Sequence, residues 1–289
     1  MTPKRLAAIP PWEWPSNAGE ILKGYLRKRD RPASDRLLAA ELAGEYVVAE
    51  DEMAELLLSI VQNPKEPEML RANAAISLGV ALEDAYIEGY DEEDELREAS
   101  ISEDTFDLVC QSLRILFADP TVPKQVRRRV LEATSRAPKE WHVEAVRTAY
   151  HSGDSEWRLT AVFCMKGIRG FDREVVEALH SDDPEILYEA VRAAALPIPG
   201  AWPRIVELLK SKHTDEDVLL AAIEAVPYVR PEEAEEVLSP LLDSGDEDIA
   251  EAAQAAIAES KAALEDDDFD EDEDEGEDAE NTIDRKRLQ

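Results

Sequence analysis

The chain has 289 residues, with 66 Asp plus Glu against 32 Lys plus Arg, and a formal net charge of −34. Such a chain repels phosphate, so direct nucleic-acid binding is not expected without a segregated basic face. A hydrophobic content of 44% is enough for a core, while 6% aromatic residues, 40 Ala and only 11 Gly favour helices over sheets.

The two cysteines, Cys110 and Cys164, sit in no metal-binding or redox spacing, which points to a reducing, cytoplasmic setting and inert core thiols. No signal peptide or membrane span is expected, because the start lacks an apolar run and the stretch from Ala193 to Trp202 is broken by Pro197, Pro199 and Gly200.

Residues 1–16 form a Pro/Trp-rich segment at the head of a mildly basic region, net +4 over residues 1–36. Pro10, Pro11 and Pro15 hold Trp12 and Trp14 on an extended chain. The two rings either dock into a partner's groove or fold back to cap the open apolar end of the first helical hairpin. From residue 17 to residue 263, apolar residues recur with helical period in short segments divided by polar turns. Phe106, Val109, Cys110, Leu113, Leu116 and Phe117 form one stripe, and Ile186, Leu187, Ala190, Val191 and Ala194 another.

First helices of successive hairpins are expected near Asn17, Glu52, Glu103, Lys139, Asp172, Trp202 and Glu232, at spacings of 35, 51, 36, 33, 30 and 30. The long interval holds an acidic block, residues 83–104, with net charge −10, which reads as an insertion in a regular array. Its Tyr86, Ile87 and Tyr90 either recognise a partner or pin the insertion to the body. A fixed period of this kind marks an α-solenoid, in which each hairpin buries its apolar face on the next.

The turns inside the hairpins repeat as well: Asn63-Pro64, Asp119-Pro120, Ser152-Gly153-Asp154, Ser181-Asp182-Asp183-Pro184, Thr214-Asp215 and Ser244-Gly245-Asp246. Their Ser, Thr and Asp side chains suit helix N-caps. Three second helices then carry Leu70-Arg71, Val126-Arg127 and Trp157-Arg158, whereas Leu187, Leu219 and Ala250 stand at the corresponding places in the others. An Asp-Pro turn followed by a branched residue, Arg and small residues resembles the HEAT repeat, in particular its short bacterial form. The resemblance is best over residues 103–263. It implies an all-α fold: an α-solenoid of about seven helical hairpins, with second helices lining a concave face, ending in a disordered acidic tail.

That tail, residues 264–289, has net charge −11 from Glu265 onward and no apolar period, so disorder is expected. His151, His180 and His213 each close a first helix, one interhelix spacing apart. They therefore suit helix C-terminal carbonyls and cannot share a metal ion. Arg127, Arg128, Arg129, Arg136, Arg158, Arg169 and Arg192 fall on or just after second helices; they could form a basic stripe for an acidic partner, and are expected instead to pair with Asp119, Asp154 and Asp183 of neighbouring turns. Arg127, Arg128 and Arg129 are too dense for one partner each and make the best basic spot for a partner. Trp141, Trp157 and Trp202 open helices and read as packing staples.

No nucleophile elbow, P-loop, zinc-protease helix or dinucleotide-binding glycine turn occurs. Some HEAT-like families are enzymes, among them a hydroxylase family that binds iron through His-Glu pairs, and no such dipeptide is present. The expected function is thus a non-catalytic protein-interaction scaffold or adaptor without cofactor or metal. Its partners are expected to be basic proteins, met through Trp12, Trp14, Tyr86, Ile87, Tyr90 and Arg127 to Arg129. The alternatives are a nucleic-acid mimic that shields a basic protein, or a HEAT-like lyase or modifying enzyme. A net negative charge steers basic partners electrostatically.

Overall fold

The structure is a computed structural model that describes residues 1–90, 99–196 and 198–284, with side chains described through residue 265. Every regular element among the described residues is helical. The chain divides into two compact units, Met1–Ile168 and Arg169–Gln289.

The first unit opens with a single turn, α1 (Pro3–Leu6), and continues with four hairpins: α2 (Ala18–Leu26) with α3 (Ala33–Leu42), α4 (Asp51–Gln62) with α5 (Glu68–Glu88), α6 (Glu103–Ala118) with α7 (Lys124–Thr134), and α8 (Glu140–Tyr150) with α9 (Ser155–Cys164). The second holds three more: α10 (Asp172–Ala178) with α11 (Pro184–Ala193), α12 (Trp202–Lys210) with α13 (Glu216–Val229), and α14 (Ala234–Leu238) with α15 (Glu247–Asp284). Each observed first helix begins within two residues of its expected start. The expected disorder of residues 264–289 falls almost wholly outside the residues whose side chains are described.

Each unit is solenoidal, because helices of like position stack on one another. In the first, α3, α5, α7 and α9 pack in sequence as one layer, and α2, α4 and α6 as the other. In the second, α11, α13 and α15 form the corresponding row. The sequence sets how tightly the second helices approach. In α5 the buried face is built from Ala72, Ala74, Ala75, Ser77, Gly79, Ala81 and Ala85 alongside Leu70, Leu78 and Leu82. A Cβ on Gly79 would lie 2.9 Å from Arg136 Cδ and 3.2 Å from Ala133 Cα of α7. One on Gly44 would lie 3.1 Å from Ser77 Cα.

The turns cap the helices that follow. Asp154 accepts from the amides of Glu156 and Trp157, Asp183 from those of Glu185 and Ile186, and Asp215 from that of Asp217. Each satisfies amides that have no partner inside the helix. The acidic block is smaller as a loop than its composition suggests. Glu83 to Glu88 belong to α5, which ends at Gly89 with φ of 70°, a left-handed conformation that favours glycine. Residues 91–98 of the block lie outside the described residues. No helix among the described residues is long and apolar enough to cross a membrane.

Candidate partner-binding groove

A small motif locks each early hairpin of the first unit. Helices α3, α5 and α7 follow Pro32, Pro67 and Pro123, and Arg36, Arg71 and Arg127 stand four residues further on. Each Arg donates its backbone N–H to the proline carbonyl, at 3.1, 3.0 and 3.1 Å. Its guanidinium then reaches back ten residues to a carbonyl at the end of the paired first helix. Arg36 Nη2 donates to Leu26 O at 3.0 Å, Arg71 Nε to Val61 O at 2.8 Å, and Arg127 Nε to Phe117 O at 2.7 Å. These carbonyls lack helical partners and carry the negative end of the helix dipole, so a cation is favoured there.

Of the arginines expected to pair with turn aspartates, Arg127 instead closes its hairpin, while Asp154 and Asp183 cap helices and Asp119 accepts from Thr121. The inter-hairpin pair to Asp154 comes instead from Lys124, at 2.9 Å. In the second unit, Leu187 cannot supply such a bond. Arg204, on the next first helix, donates to Leu179 O at 3.1 Å in its place.

The expected basic spot is likewise consumed internally. Beside Arg127, Arg128 is buried and donates to Thr160 Oγ1 and Glu156 Oε1, both at 2.9 Å. Arg129 pairs with the buried Glu132 at 2.5 Å, and Thr160 donates its hydroxyl to the other oxygen of that carboxylate at 2.6 Å. Arg127 and Arg128 thus knit α7 to α6 and α9, and Arg129 pairs within α7, because buried or half-buried charges need partners in reach.

A wide concavity lies instead between the first helices α6 and α8. These two do not pack side by side as α4 and α6 do, and the space between them is a groove of about 530 Å³. Three half-buried rings line it. Phe117 lies 5.4 Å from Trp141 and 6.2 Å from Trp157, centroid to centroid, the latter edge-on. The Arg127 guanidinium lies 5.6 Å from the centroids of both Phe117 and Trp157, which fixes the rings from behind. Ala118, Ala145, Ala149 and Thr148 complete the wall, with Arg114 and Glu144 exposed at the rim.

Trp141 and Trp157, expected as staples, do pack on Phe117 of the preceding first helix, yet both remain part of an open surface. Trp141 also stacks on His142 at 3.8 Å. His142 is buried, its Nδ1 accepts from Lys139 N at 2.9 Å, and its Nε2 has no hydrogen-bond partner among the described residues. Burial pushes its pKa down to about 4, so the ring is neutral at physiological pH. Sequence reasoning passed over His142. Its signal was position, three residues beyond Lys139, where a side chain can reach back to the N-cap amide.

The other expected site residues are scattered. Trp12 is 79% exposed, whereas the half-buried Trp14 donates from Nε1 to the carbonyls of Leu6 and Ile9 at 3.0 and 3.1 Å. Trp14 therefore ties the segment to α1, and Trp12 does not share that role. Tyr86 and Ile87 project from the overhanging last turns of α5 and are exposed. Tyr90, 36% exposed, is pinned to the body, its hydroxyl donating to Ile101 O at 3.2 Å and its ring meeting Phe106 edge-on. Burial raises its pKa to about 12.

Cys110 is half-buried, and burial pushes its thiol up to about 11, which disfavours the reactive thiolate. At the other end of the unit, the carboxylates of Glu20, Glu50 and Glu52 converge, and the ammonium of buried Lys23 stands among all three. Burial pulls that ammonium's pKa down, but the three carboxylates outweigh it and hold the pKa above the usual lysine range.

No family model and no curated protein matches the chain by sequence. Its fold is similar to several solved structures at low identity. Human deoxyhypusine hydroxylase in complex with glycerol is 15% identical, with a TM-score of 0.39, covering 86% of this chain and 97% of that one. YibA of Escherichia coli is 17% identical, with a TM-score of 0.44, covering 86% and 83%. Kap121p is 13% identical, with a TM-score of 0.39, and the match covers 84% of this chain but 25% of that one.

Proposed function

We propose that the chain is a non-catalytic, HEAT-like repeat protein that binds a partner protein of basic surface, with the groove between α6 and α8 as the contact site. The observation that carries this reading is the open aromatic trio of Phe117, Trp141 and Trp157. Large rings left half-exposed at the centre of a concavity, with charges held to the rim, are the usual makeup of an interface hot spot. The groove's volume falls in the range that holds a few side chains of a ligand. The net charge of −34 supplies long-range attraction for a basic partner, in the cytoplasmic setting that a content of only two cysteines supports. The arginine-closed hairpins, with Arg71 and Arg127 at the heads of second helices, support the HEAT-like assignment.

Affinity capture with the full chain, compared with Trp141→Ala and with the rim variant Glu144→Lys, tests the proposal. Both variants are expected to lose the captured partner while keeping the wild-type far-ultraviolet circular dichroism. A partner retained by both would refute the groove as the site.

A further inference from the structure

The outward face of α6 carries a second feature, continuous with the groove. Leu108 is 49% exposed and Ile115 is 70% exposed, one heptad apart, and Ala118, also exposed, lies on both this stripe and the groove wall. With Gln111 between them, these residues follow the alternating 3-4-3 spacing with which one helix presents a seam to another. Among the described residues of the first unit nothing covers this seam, and α6 buries its other side, Phe106, Val109 and Leu113, against the core. The surroundings are acidic. Asp104, Asp107, Glu55, Glu140 and Glu144 are exposed on α6 and the first helices to either side, against Arg114, Arg147 and the N-cap Lys139.

We propose that this face receives a basic amphipathic helix of the partner protein, laid along α6, with its apolar residues on Leu108 and Ile115 and one anchor in the aromatic groove. The proposal rests on the groove reading and adds to it the partner's secondary structure and charge. A helix set in a shallow channel uses apolar anchors at the same spacing that α6 displays. Lysines or arginines flanking those anchors would face the five carboxylates. A single acid near the partner's end would suit Arg114, which fixes the direction in which the helix lies. A second copy of this chain is the poorer occupant, since it would bring a net charge of −34 against the same charge.

The test uses the full chain and a labelled synthetic helix of about four turns with Leu at the seam positions and Lys beside them. Control peptides carry Glu for Lys, or Ser for Leu. Fluorescence anisotropy is expected to show binding of the Lys/Leu peptide alone. The double variant Leu108→Gln/Ile115→Gln, exposed and helix-compatible, is expected to weaken it by about tenfold or more. Unchanged affinity in that variant, or equal binding of the Glu/Leu peptide, overturns the proposal. So does a dimer of the wild-type chain in light scattering that the double variant dissociates. Weakening by Glu144→Lys but not by the double variant overturns the α6 seam and leaves the groove reading standing. A captured partner that ignores Trp141→Ala and Glu144→Lys removes the groove reading whatever the peptide does.

Discussion

Arg127→Met would open the lock that joins α7 to the end of α6 while keeping most of the side chain's apolar stem. Three interactions disappear together: the 2.7 Å bond from Nε to Phe117 O and the two ring contacts at 5.6 Å. A hydrogen bond with a charged donor contributes about 1.5–3 kcal/mol, and a half-exposed cation–π contact about 0.5–1 kcal/mol. Since the contacts share one guanidinium they do not add in full, and the freed carbonyl near the surface regains water. The expected loss is about 2 kcal/mol, which for a unit of the size of Met1–Ile168 lowers the melting temperature by roughly 4–8 °C. Urea denaturation followed by circular dichroism measures it, with Arg127→Lys as the control that keeps charge but not the planar fork. Lys should recover about half the loss. A Met variant within about 0.5 kcal/mol of wild type would refute the claim that this arginine closes the hairpin.

Other consequences follow from the same packing. His142 has a folded-state pKa of about 4 against an ordinary value of 6.5, so the unfolded chain binds a proton that the folded chain refuses. Its contribution is fully present above about pH 6.5 and is lost as pH falls toward 4, costing about 2 kcal/mol between pH 7 and pH 5; urea midpoints should show that fall, reduced in His142→Gln. Lys23→Met leaves Glu20, Glu50 and Glu52 converging with Arg27, paired to Glu52, as the remaining cation beside them. It should cost about 2 kcal/mol, and added salt should diminish the loss because these carboxylates are exposed. Gly24→Ala and Gly79→Ala should have opposite signs although both lie inside helices. A Cβ on Gly24 meets nothing within 4 Å, so helix propensity stabilises by about 0.5–1 kcal/mol. On Gly79 the new atom meets Arg136 and the α7 backbone, and thermal melts should show destabilisation of about 1–2 kcal/mol.

The hairpin array was legible because its punctuation is local. Capping aspartates and prolines sit at each turn, and the apolar period resumes after each one, so helix starts such as Glu103, Asp172 and Trp202 could be placed from the sequence alone. The extent of α5 was hidden because Glu83, Asp84 and Glu88 lie on a solvated helix surface, where acids and loop residues look alike. The three consecutive arginines looked like a binding patch because two of them find partners outside their own helix, a carbonyl ten residues back for Arg127 and Thr160 for Arg128. The recurrence of Pro-x-x-x-Arg at 32–36, 67–71 and 123–127 was the available signal.

The groove was harder to see. Phe117, Trp141 and Trp157 each obey a helix-packing pattern, and what exposes them is the separation of α6 from α8, a tertiary fact without a sequence period. Trp12 and Trp14 were indistinguishable as a motif; only the carbonyls of Leu6 and Ile9, reachable by one ring, separate them.

Hydrogen–deuterium exchange on the full chain, with and without its captured partner, tests the central claim most directly. The account predicts that protection gained on binding concentrates in α6 and α8, around Leu108, Ile115 and Trp141. Protection gained instead along α5 and α7, with α6 and α8 unchanged, would contradict it.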